Sequence, residues 1–220
     1  MKSFRYPQSC PVARAAEVIG ERWTLLIIRE LALGPQRFSD LRERLSGVSS
    51  SVLTARINGL LEKGLITREQ LDPPAASTVY RLSDSGQALV PVLLGLVRWG
   101  ARYFSSPHPG DHFEPDWLRL GLLAYSRREA TPAHTYAIRI QTPGKPLPVR
   151  VAGGRGGTTV TLDDGPAELT ITLEPSVLMG LVTGAIHPSE ALAGGKLSAE
   201  GRVEILEKLP ELFDLNADST

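Results

Sequence analysis

Histidine side chains are the first candidates for chemistry in this sequence, because a neutral imidazole can bind a metal ion or move a proton. His108 and His112 are four residues apart, the spacing at which two imidazoles on a helix can share one metal. The stretch 107–110 contains two prolines and a glycine, however, and prevents the helix that this spacing requires. His134 and His187 each stand alone in the sequence. We therefore predict no metal site.

A glycine-rich run and an acidic pair are the next candidates, for phosphate binding and for acid–base catalysis. Residues 153–157 lack the Lys-Ser/Thr ending of a phosphate-binding loop and precede a strand-like segment, so we predict a hairpin turn. Asp163 and Asp164 stand beside Gly165, which is also typical of a turn. No nucleophile stands at a recognisable spacing from a base. The sequence thus favours a protein that is not an enzyme and carries no cofactor.

Charge is divided unevenly along the 220-residue chain, which is long enough for two compact domains. The formal net charge is zero, but residues 1–106 carry 14 lysines and arginines against 9 aspartates and glutamates. Residues 107–220 carry 10 against 15. This division is typical of a nucleic-acid-binding part joined to a part with another task. An excess of five cations is modest, and an ordinary surface remains the alternative.

Cys10 is the single cysteine, which excludes an intrachain disulfide and fits a reducing compartment. Charges interrupt every apolar stretch of residues 1–23, so this segment lacks the core of a signal peptide. The longest apolar run, residues 89–97, is far shorter than the roughly 18–20 residues that cross a bilayer. We expect a cytoplasmic protein without a membrane partner.

The first half contains a series of helical patterns. Residues 23–33 are apolar almost all round, as in a buried central helix. Ser39 is the expected N-cap of a short helix that follows, and Ser49 is the expected N-cap of a further helix ending at Lys63-Gly64. Two strand-like segments, residues 65–70 and 79–82, come next, and Ser83-Asp84 opens a helix over about residues 86–104.

This order of elements predicts a winged helix-turn-helix, in which the second helix of the pair enters the major groove of DNA. With its leucines and Ile57 facing the core, this helix presents small polar side chains outward, which can approach base edges and phosphates closely. A solvated face on a structural helix is the alternative. The candidate DNA contacts from this helix are Ser49, Ser50, Ser51, Thr54, Ala55, Arg56 and Asn58.

Several short motifs occur in an order that resembles the HxlR family, relatives of the MarR-like winged-helix regulators. The resemblance covers roughly residues 8–104. Its motifs are Cys10-Pro11-Val12, Ile19-Gly20, the run from Arg22 to Leu31, Gly34-Pro35, the run from Arg37 to Leu41, Leu53-Thr54-Ala55-Arg56, Gly64-Leu65-Ile66 and Tyr80-Arg81-Leu82-Ser83.

The resemblance implies a homodimer in which the terminal helices pack between subunits. Two recognition helices would then bind double-stranded DNA at a pseudo-palindromic operator. Wings of the family commonly carry a basic residue after the Pro-Pro pair, whereas Ala75-Ala76-Ser77 follows that pair here. We therefore expect phosphate contacts from Arg68 and Arg81 near the bases of the wing strands, and from Arg37.

Cys10 has two interpretations. In some family members a cysteine at this place senses oxidants or electrophiles, and Arg5 and Arg14 are near enough in sequence to lower its pKa. The alternative, which we favour, is a small apolar residue at the start of a dimer-facing helix.

The second half changes to strand-like alternation bounded by glycine turns, typical of an antiparallel meander with one buried face. Its order of helix, strands and short helices resembles the sterol-carrier-protein fold over about residues 115–214. The matching motifs are Leu181-Val182-Thr183-Gly184, Pro188, Glu190-Ala191-Leu192, Gly195-Lys196-Leu197 and Glu200-Gly201.

The sterol-carrier resemblance implies an apolar tunnel that binds a hydrophobic molecule. Our hypothesis is that this half senses such an effector and modulates operator binding. Plain core packing is the alternative for each candidate residue, and a lipid-binding, lipid-transfer or enzyme-accessory role is the alternative for the whole half. The candidate pocket residues are Leu178, Met179, Leu181, Val182 and Ile186.

The expected fold class is α+β, with a winged helix-turn-helix followed by a sterol-carrier-like antiparallel sheet with helices. We expect the DNA-binding and dimerisation domain over residues 1–106, a linker over residues 107–116 and a sterol-carrier-like ligand-binding domain over residues 117–215.

Overall fold

The computed structural model describes residues 5–72, 77–103, 110–142 and 145–214. The chain divides into two compact units, Met1–Leu93 and Leu94–Thr220. The expected wing tip at residues 73–76, His108 and the first residues of the expected linker lie outside the described residues. The three domain ranges expected from the sequence therefore stay a prediction.

The first unit is mainly helical and contains a small sheet. Helix α6 begins in this unit and continues into the second. The elements are α1 (Pro11–Ile19), α2 (Thr24–Leu33), β1 (Gln36–Arg37), α3 (Phe38–Arg44), α4 (Ser50–Glu62), β2 (Ile66–Gln70), β3 (Thr78–Leu82), α5 (Asp84–Gln87) and α6 (Val90–Ala101).

The core of the first unit forms around α2, because its apolar side chains point in almost every direction. Ile27 and Leu31 of α2 are buried with Leu41 of α3 and with Leu53 and Ile57 of α4. Burial of such side chains contributes about 1.5–3 kcal/mol each, so it holds α3 and α4 at a fixed mutual angle. The helix pair expected from the sequence is confirmed.

A three-stranded antiparallel sheet completes the first unit in the order β1-β3-β2. Arg68 of β2 lies opposite Tyr80 of β3, and Gln36 of β1 pairs with the same Tyr80 from the other side. Strand β1 has two residues and was not expected, because its pairing with β3 depends on tertiary structure rather than on a sequence pattern.

Two expected helix boundaries are wrong. Helix α3 begins at Phe38, one residue before Ser39, so Arg37 occupies the N-cap position and the Ser39 hydroxyl donates to Asp40 instead. The single helix expected over residues 86–104 is two helices, α5 and α6. Pro91 accounts for the break, because it has no N–H and its ring would clash with the preceding turn of a continuous helix.

Among its described residues, the second unit contains, apart from α6, three helices, a five-stranded sheet and a final 3-10 helix. The elements are α7 (Trp117–Tyr125), β4 (Thr135–Ile140), β5 (Leu147–Ala152), β6 (Thr159–Thr161), β7 (Leu169–Leu173), α8 (Pro175–Val182), α9 (Pro188–Ala193), β8 (Leu197–Gly201) and the 3-10 helix Val203–Leu212.

The five strands are ordered β6-β5-β4-β7-β8, which corrects the expected meander at one place. Three neighbouring pairs are antiparallel, but β4 and β7 are parallel, with Ile138 opposite Ile171. Alternation within one strand shows which face is buried and says nothing about its partner, so the sequence pattern missed this pair. Tyr136, Ile138 and Leu169 are buried on the expected face, and the α+β class is confirmed.

Candidate nucleic-acid interface

The N-terminus of α4 is the best-defined part of the candidate interface. The Ser49 hydroxyl accepts a 3.3 Å hydrogen bond from the N–H of Val52, which makes Ser49 the N-cap as expected. The hydroxyls of Ser49 and Ser51 lie 3.1 Å apart. The first turn of α4 thus carries small hydroxyl side chains on exposed residues.

Helix α4 has one buried and one open face, because apolar residues recur along it at helical spacing. Leu53 and Ile57 are buried in the core, whereas Ser51, Thr54 and Asn58 are exposed. The open face lines a cleft of about 720 Å³. The candidate residues of the cleft are Ser50, Ser51, Thr54, Ala55, Arg56 and Asn58.

The guanidinium of Arg56 is bonded to other residues of the same chain. Its Nη2 lies 2.8 Å from Oε2 of Glu21, and its Nε donates to the carbonyl of Arg22 at 3.2 Å. Both partners belong to the segment between α1 and α2, which the sequence did not connect with α4. Arg56 therefore joins this segment to α4.

Lys63 makes a second connection of the same kind at the C-terminal end of α4. Its Nζ donates to the carbonyl oxygen of Glu17 at 2.5 Å, so α1 is bonded to the C-cap of α4. The Glu17 side chain accepts from Arg14, and this contact is the main cause of a lowered pKa for the Glu17 carboxyl. Lys63 thus connects α4 to the end of α1, and Arg56 connects it to the segment that follows α1.

Arg42 is a candidate that sequence reasoning missed. It is exposed on α3, between the buried Leu41 and Leu45, and its Nη1 lies 3.5 Å from the hydroxyl of Ser50 at the start of α4. The spacing of Leu41 and Leu45 shows that Arg42 points outward. Its position beside Ser50 depends on how α3 packs against α4, which no local pattern contains.

The three arginines expected near the wing differ in their surroundings. Arg68 is exposed on β2. Arg81 of β3 is also exposed, but its Nη1 lies 3.0 Å from Oε2 of Glu69 across the ladder. Arg37 is exposed before α3, where its backbone N–H donates to Asp40 at 3.1 Å. These arginines stay candidates, with Arg81 partly neutralised by its neighbour.

Residues 18–108 match the family model described as HxlR-like helix-turn-helix. The HTH-type transcriptional regulator YvaP of Bacillus subtilis is 31% identical over 97 residues, which are 44% of this chain and 90% of the relative. The chain belongs to the HxlR-like helix-turn-helix family. An HTH-type transcriptional regulator of Mycobacterium tuberculosis is 38% identical over 96 residues, and this HxlR-family chain spans 60% of its length.

A solved structure also resembles the HxlR-like part. The reduced form of the transcriptional regulator YodB from Bacillus subtilis is 30% identical and covers 47% of this chain and all of its own, with a TM-score of 0.39. The second half of this HxlR-family chain is similar to a different family. Residues 120–214 match the family model described as SCP-2 sterol transfer family.

The candidate pocket residues of the SCP-2-like half lie on and after α8. Leu178, Leu181 and Val182 are fully buried in the core, whereas Met179 and Ile186 are half-buried against it. A Cβ atom added at Gly180 would lie 2.5 Å from Cδ1 of Ile186, so α8 packs closely against the segment that follows it. Three of the five candidates therefore serve the core, and two lie at its border.

Cys10 lies directly before α1, at its N-cap position, and is half-buried. The guanidinium of Arg14 points to other partners, since it binds the Glu17 carboxylate at 2.5 Å and the Gln8 carbonyl at 3.1 Å. Arg5, the other nearby cation, is exposed.

Metal sites and membrane-spanning helices are two further features, which depend on the side chains and the hydropathy of the described residues. Within those ranges, no group of three or more histidine, cysteine, aspartate or glutamate side chains could hold a metal ion. None of the described helices combines the length and the hydropathy that crossing a bilayer requires.

Proposed function

We propose that this chain is a dimeric transcription regulator that binds double-stranded DNA through α4 and the β2–β3 wing. The observation that carries this proposal is the open face of α4, where Ser51, Thr54 and Asn58 are exposed on a helix whose opposite face is buried. Small polar side chains allow close approach to base edges, and hydroxyl and amide groups form hydrogen bonds there. Membership of the HxlR-like family supports the same assignment.

Selection from a random duplex library with the full-length protein tests DNA binding. We expect a two-part, pseudo-palindromic sequence, because each subunit of a symmetric dimer presents one recognition helix. The variant Asn58→Ala should weaken binding to the selected duplex by roughly 5- to 150-fold, which corresponds to about 1–3 kcal/mol for a specific base contact. Failure to enrich any sequence, with no affinity for mixed DNA, would contradict the proposal.

Helix α6 supports the dimer. Val92, Leu96 and Trp99 of α6 and Tyr103, two residues after its end, recur at intervals of three or four residues and are exposed, Trp99 by 57% and Tyr103 by 72%. An exposed apolar stripe of this kind is typical of a protein–protein interface rather than of a solvated surface. A second copy of the same helix would cover it, as the HxlR resemblance implies.

The SCP-2-like half is proposed to sense a hydrophobic small molecule and thereby to modulate DNA binding. The match of residues 120–214 to the SCP-2 family supports this role, and the half-buried Met179 and Ile186 are its best-placed candidate contacts. Methionine suits an adaptable apolar pocket because its side chain is flexible and polarisable. Native mass spectrometry of the purified protein should show a retained adduct, and extraction of that adduct should change DNA affinity.

Lipid transfer is the second candidate function, and the same SCP-2 match favours it. Transfer of a labelled lipid between vesicles, measured with and without operator DNA, separates the two roles. Transfer that is unaffected by DNA, in a protein whose DNA affinity ignores lipid, would favour the second role over the sensor.

A further inference from the structure

Two arginines close to the open face of α4 differ in what surrounds their guanidinium groups. Arg56 belongs to α4 itself, and Arg42 reaches its first turn from α3. Both could approach a DNA phosphate on residue type alone. Their contacts, however, suit them to two different roles, phosphate binding for one and helix positioning for the other.

The Arg56 guanidinium is bonded within the protein, and its side chain is largely shielded from solvent. Its side chain is 16% exposed, and it makes a 2.8 Å ion pair with Glu21 and a 3.2 Å hydrogen bond to the carbonyl of Arg22. Glu17 and Glu62 line the same cleft. Lys63 lines the cleft as well, and the Glu17 carboxylate is bound to Arg14, so the charges around the cleft are mixed. A phosphate approaching Arg56 would have to displace the Glu21 carboxylate, and the Coulomb attraction within that ion pair opposes this.

Arg42, by contrast, is exposed, and the contact of its guanidinium is with an uncharged group. The buried Leu41 and Leu45 fix α3 against the core and direct Arg42 outward. The described contact of its guanidinium is the 3.5 Å approach to the Ser50 hydroxyl, which is at the long limit for a hydrogen bond and carries no charge. Two carboxyl groups share its helix. Asp40 accepts from the Arg37 N–H and from Ser39, and Glu43 is the exposed neighbour.

We propose that Arg42 contacts a phosphodiester group of double-stranded DNA and that Arg56 is a positioning residue, which fixes α4 against the segment between α1 and α2. The proposal rests on the proposed DNA-binding function and assigns its electrostatic part to a residue of α3. Arg42 keeps its charge available at the edge of the recognition helix, whereas the charge of Arg56 is already neutralised by Glu21.

The salt dependence of DNA binding tests this division, because each phosphate contact contributes about 0.9 to the slope of log affinity against log salt concentration. The probe is a mixed-sequence 40-base-pair duplex, titrated with the full-length protein by fluorescence anisotropy at several salt concentrations. Arg42→Gln should reduce the slope by about 0.9 per protomer, so the affinity lost between 50 and 200 mM salt becomes about 3.5-fold smaller per protomer. Arg42→Lys keeps the positive charge and should therefore retain the wild-type slope.

Arg56→Gln should weaken binding without changing the slope, because a positioning residue contributes geometry and no counterion release. Arg128→Gln, an exposed arginine of the second unit, is the control and should change neither quantity. Thermal unfolding of each variant identifies any loss of fold. An unchanged slope for a folded Arg42→Gln variant, or an equal reduction for Arg56→Gln, overturns the proposal. A wild-type protein without salt-dependent binding instead contradicts the proposed function itself.

Discussion

The Arg44 guanidinium donates a 2.7 Å hydrogen bond to the carboxylate of Glu30, a side chain that is fully buried in the first unit. Glu30 lies on α2 and Arg44 lies at the end of α3, so this ion pair joins the central helix to the first helix of the helix-turn-helix pair. Arg29 binds the other carboxylate oxygen at 2.6 Å.

Arg44→Met should lower the free energy of unfolding by about 3 kcal/mol, because it leaves the buried Glu30 carboxylate with less compensation for its desolvation. Equilibrium denaturation in urea measures the effect. The control is Arg42→Met on the same helix, where the exposed side chain should matter by at most about 0.5 kcal/mol. Similar losses in both variants would show that Glu30 does not depend on Arg44.

Ser49→Ala should destabilise the first unit by about 1 kcal/mol, since the N–H of Val52 loses the hydroxyl that accepts its hydrogen bond. Ser49→Asp should retain stability, because a carboxylate can accept the same bond and favours a helix N-terminus. Ser39→Ala is the matched control, as Ser39 lies within α3 and does not cap it. Hydrogen exchange of the α4 amides reports the loss locally, and a larger effect at Ser39 would contradict the cap assignment.

Asp163 should make the stability of the second unit depend on acid pH. The Arg150 guanidinium, together with Thr161 and the Gly165 N–H, lowers the pKa of this carboxyl from 3.8 to about 2. The folded-state pKa lies below the unfolded one, so the stabilisation is complete above pH 3.8 and is lost as pH falls toward 2. Asp163→Asn should therefore reduce the dependence of the thermal unfolding midpoint on pH in this window.

The control for this pH dependence is Asp164→Asn. That side chain is 66% exposed and lies 4.0 Å from Arg139, so its removal should leave the acid profile unchanged. Two equally flattened profiles would mean that the Arg150 contact does not set the dependence.

Gly157→Ala should destabilise the second unit by about 2–3 kcal/mol. Gly157 has φ +90°, and an added Cβ atom would lie 2.5 Å from the carbonyl oxygen of Arg127. Gly156→Ala is a control one residue away, because a Cβ atom there meets nothing within 4 Å. Thermal unfolding compares the two. Equal stability would show that the hairpin turn adapts at no cost.

Trp99→Glu should weaken the proposed dimer by roughly 30-fold or more, because a buried tryptophan at an interface contributes about 2 kcal/mol. Sedimentation over a range of protein concentrations measures the dissociation constant. Val203→Glu changes a 38%-exposed apolar residue of the 3-10 helix and should leave the dimer intact. A dimer that tolerates the change at Trp99 would assign the interface to another surface.

Local sequence patterns correctly predicted those structural features that are encoded by a few neighbouring residues. Ser49 and the Lys63-Gly64 end of α4 were found because caps and glycine stops are encoded within a few residues. The ion pair of Arg56 with Glu21 joins residues 35 positions apart, and no periodicity contains it. The position of Arg42 beside Ser50 was missed for the same reason.

The second half shows the same limit at the level of the sheet. Ile138 and Ile171 stand at apolar positions of the alternating segments for which one buried face was expected, and both are buried. Their strands were expected to follow one another as an antiparallel meander, but β4 and β7 lie side by side and parallel. Burial is set by the alternation within each strand, whereas the choice of partner depends on which pairing also buries α7 and α8 against the sheet.

The parallel pairing of β4 with β7 affects the order in which the chain can fold during synthesis. The central pair of the sheet cannot close until Leu173 has been made, and such non-local pairing is intrinsically slow. The first unit contains all of its own strands by Leu82. At about 5–20 residues per second, translation from Leu93 to Leu173 takes roughly 4–16 s. The helix-turn-helix can therefore form while the second half is still an open chain, exposing strand edges that invite aggregation.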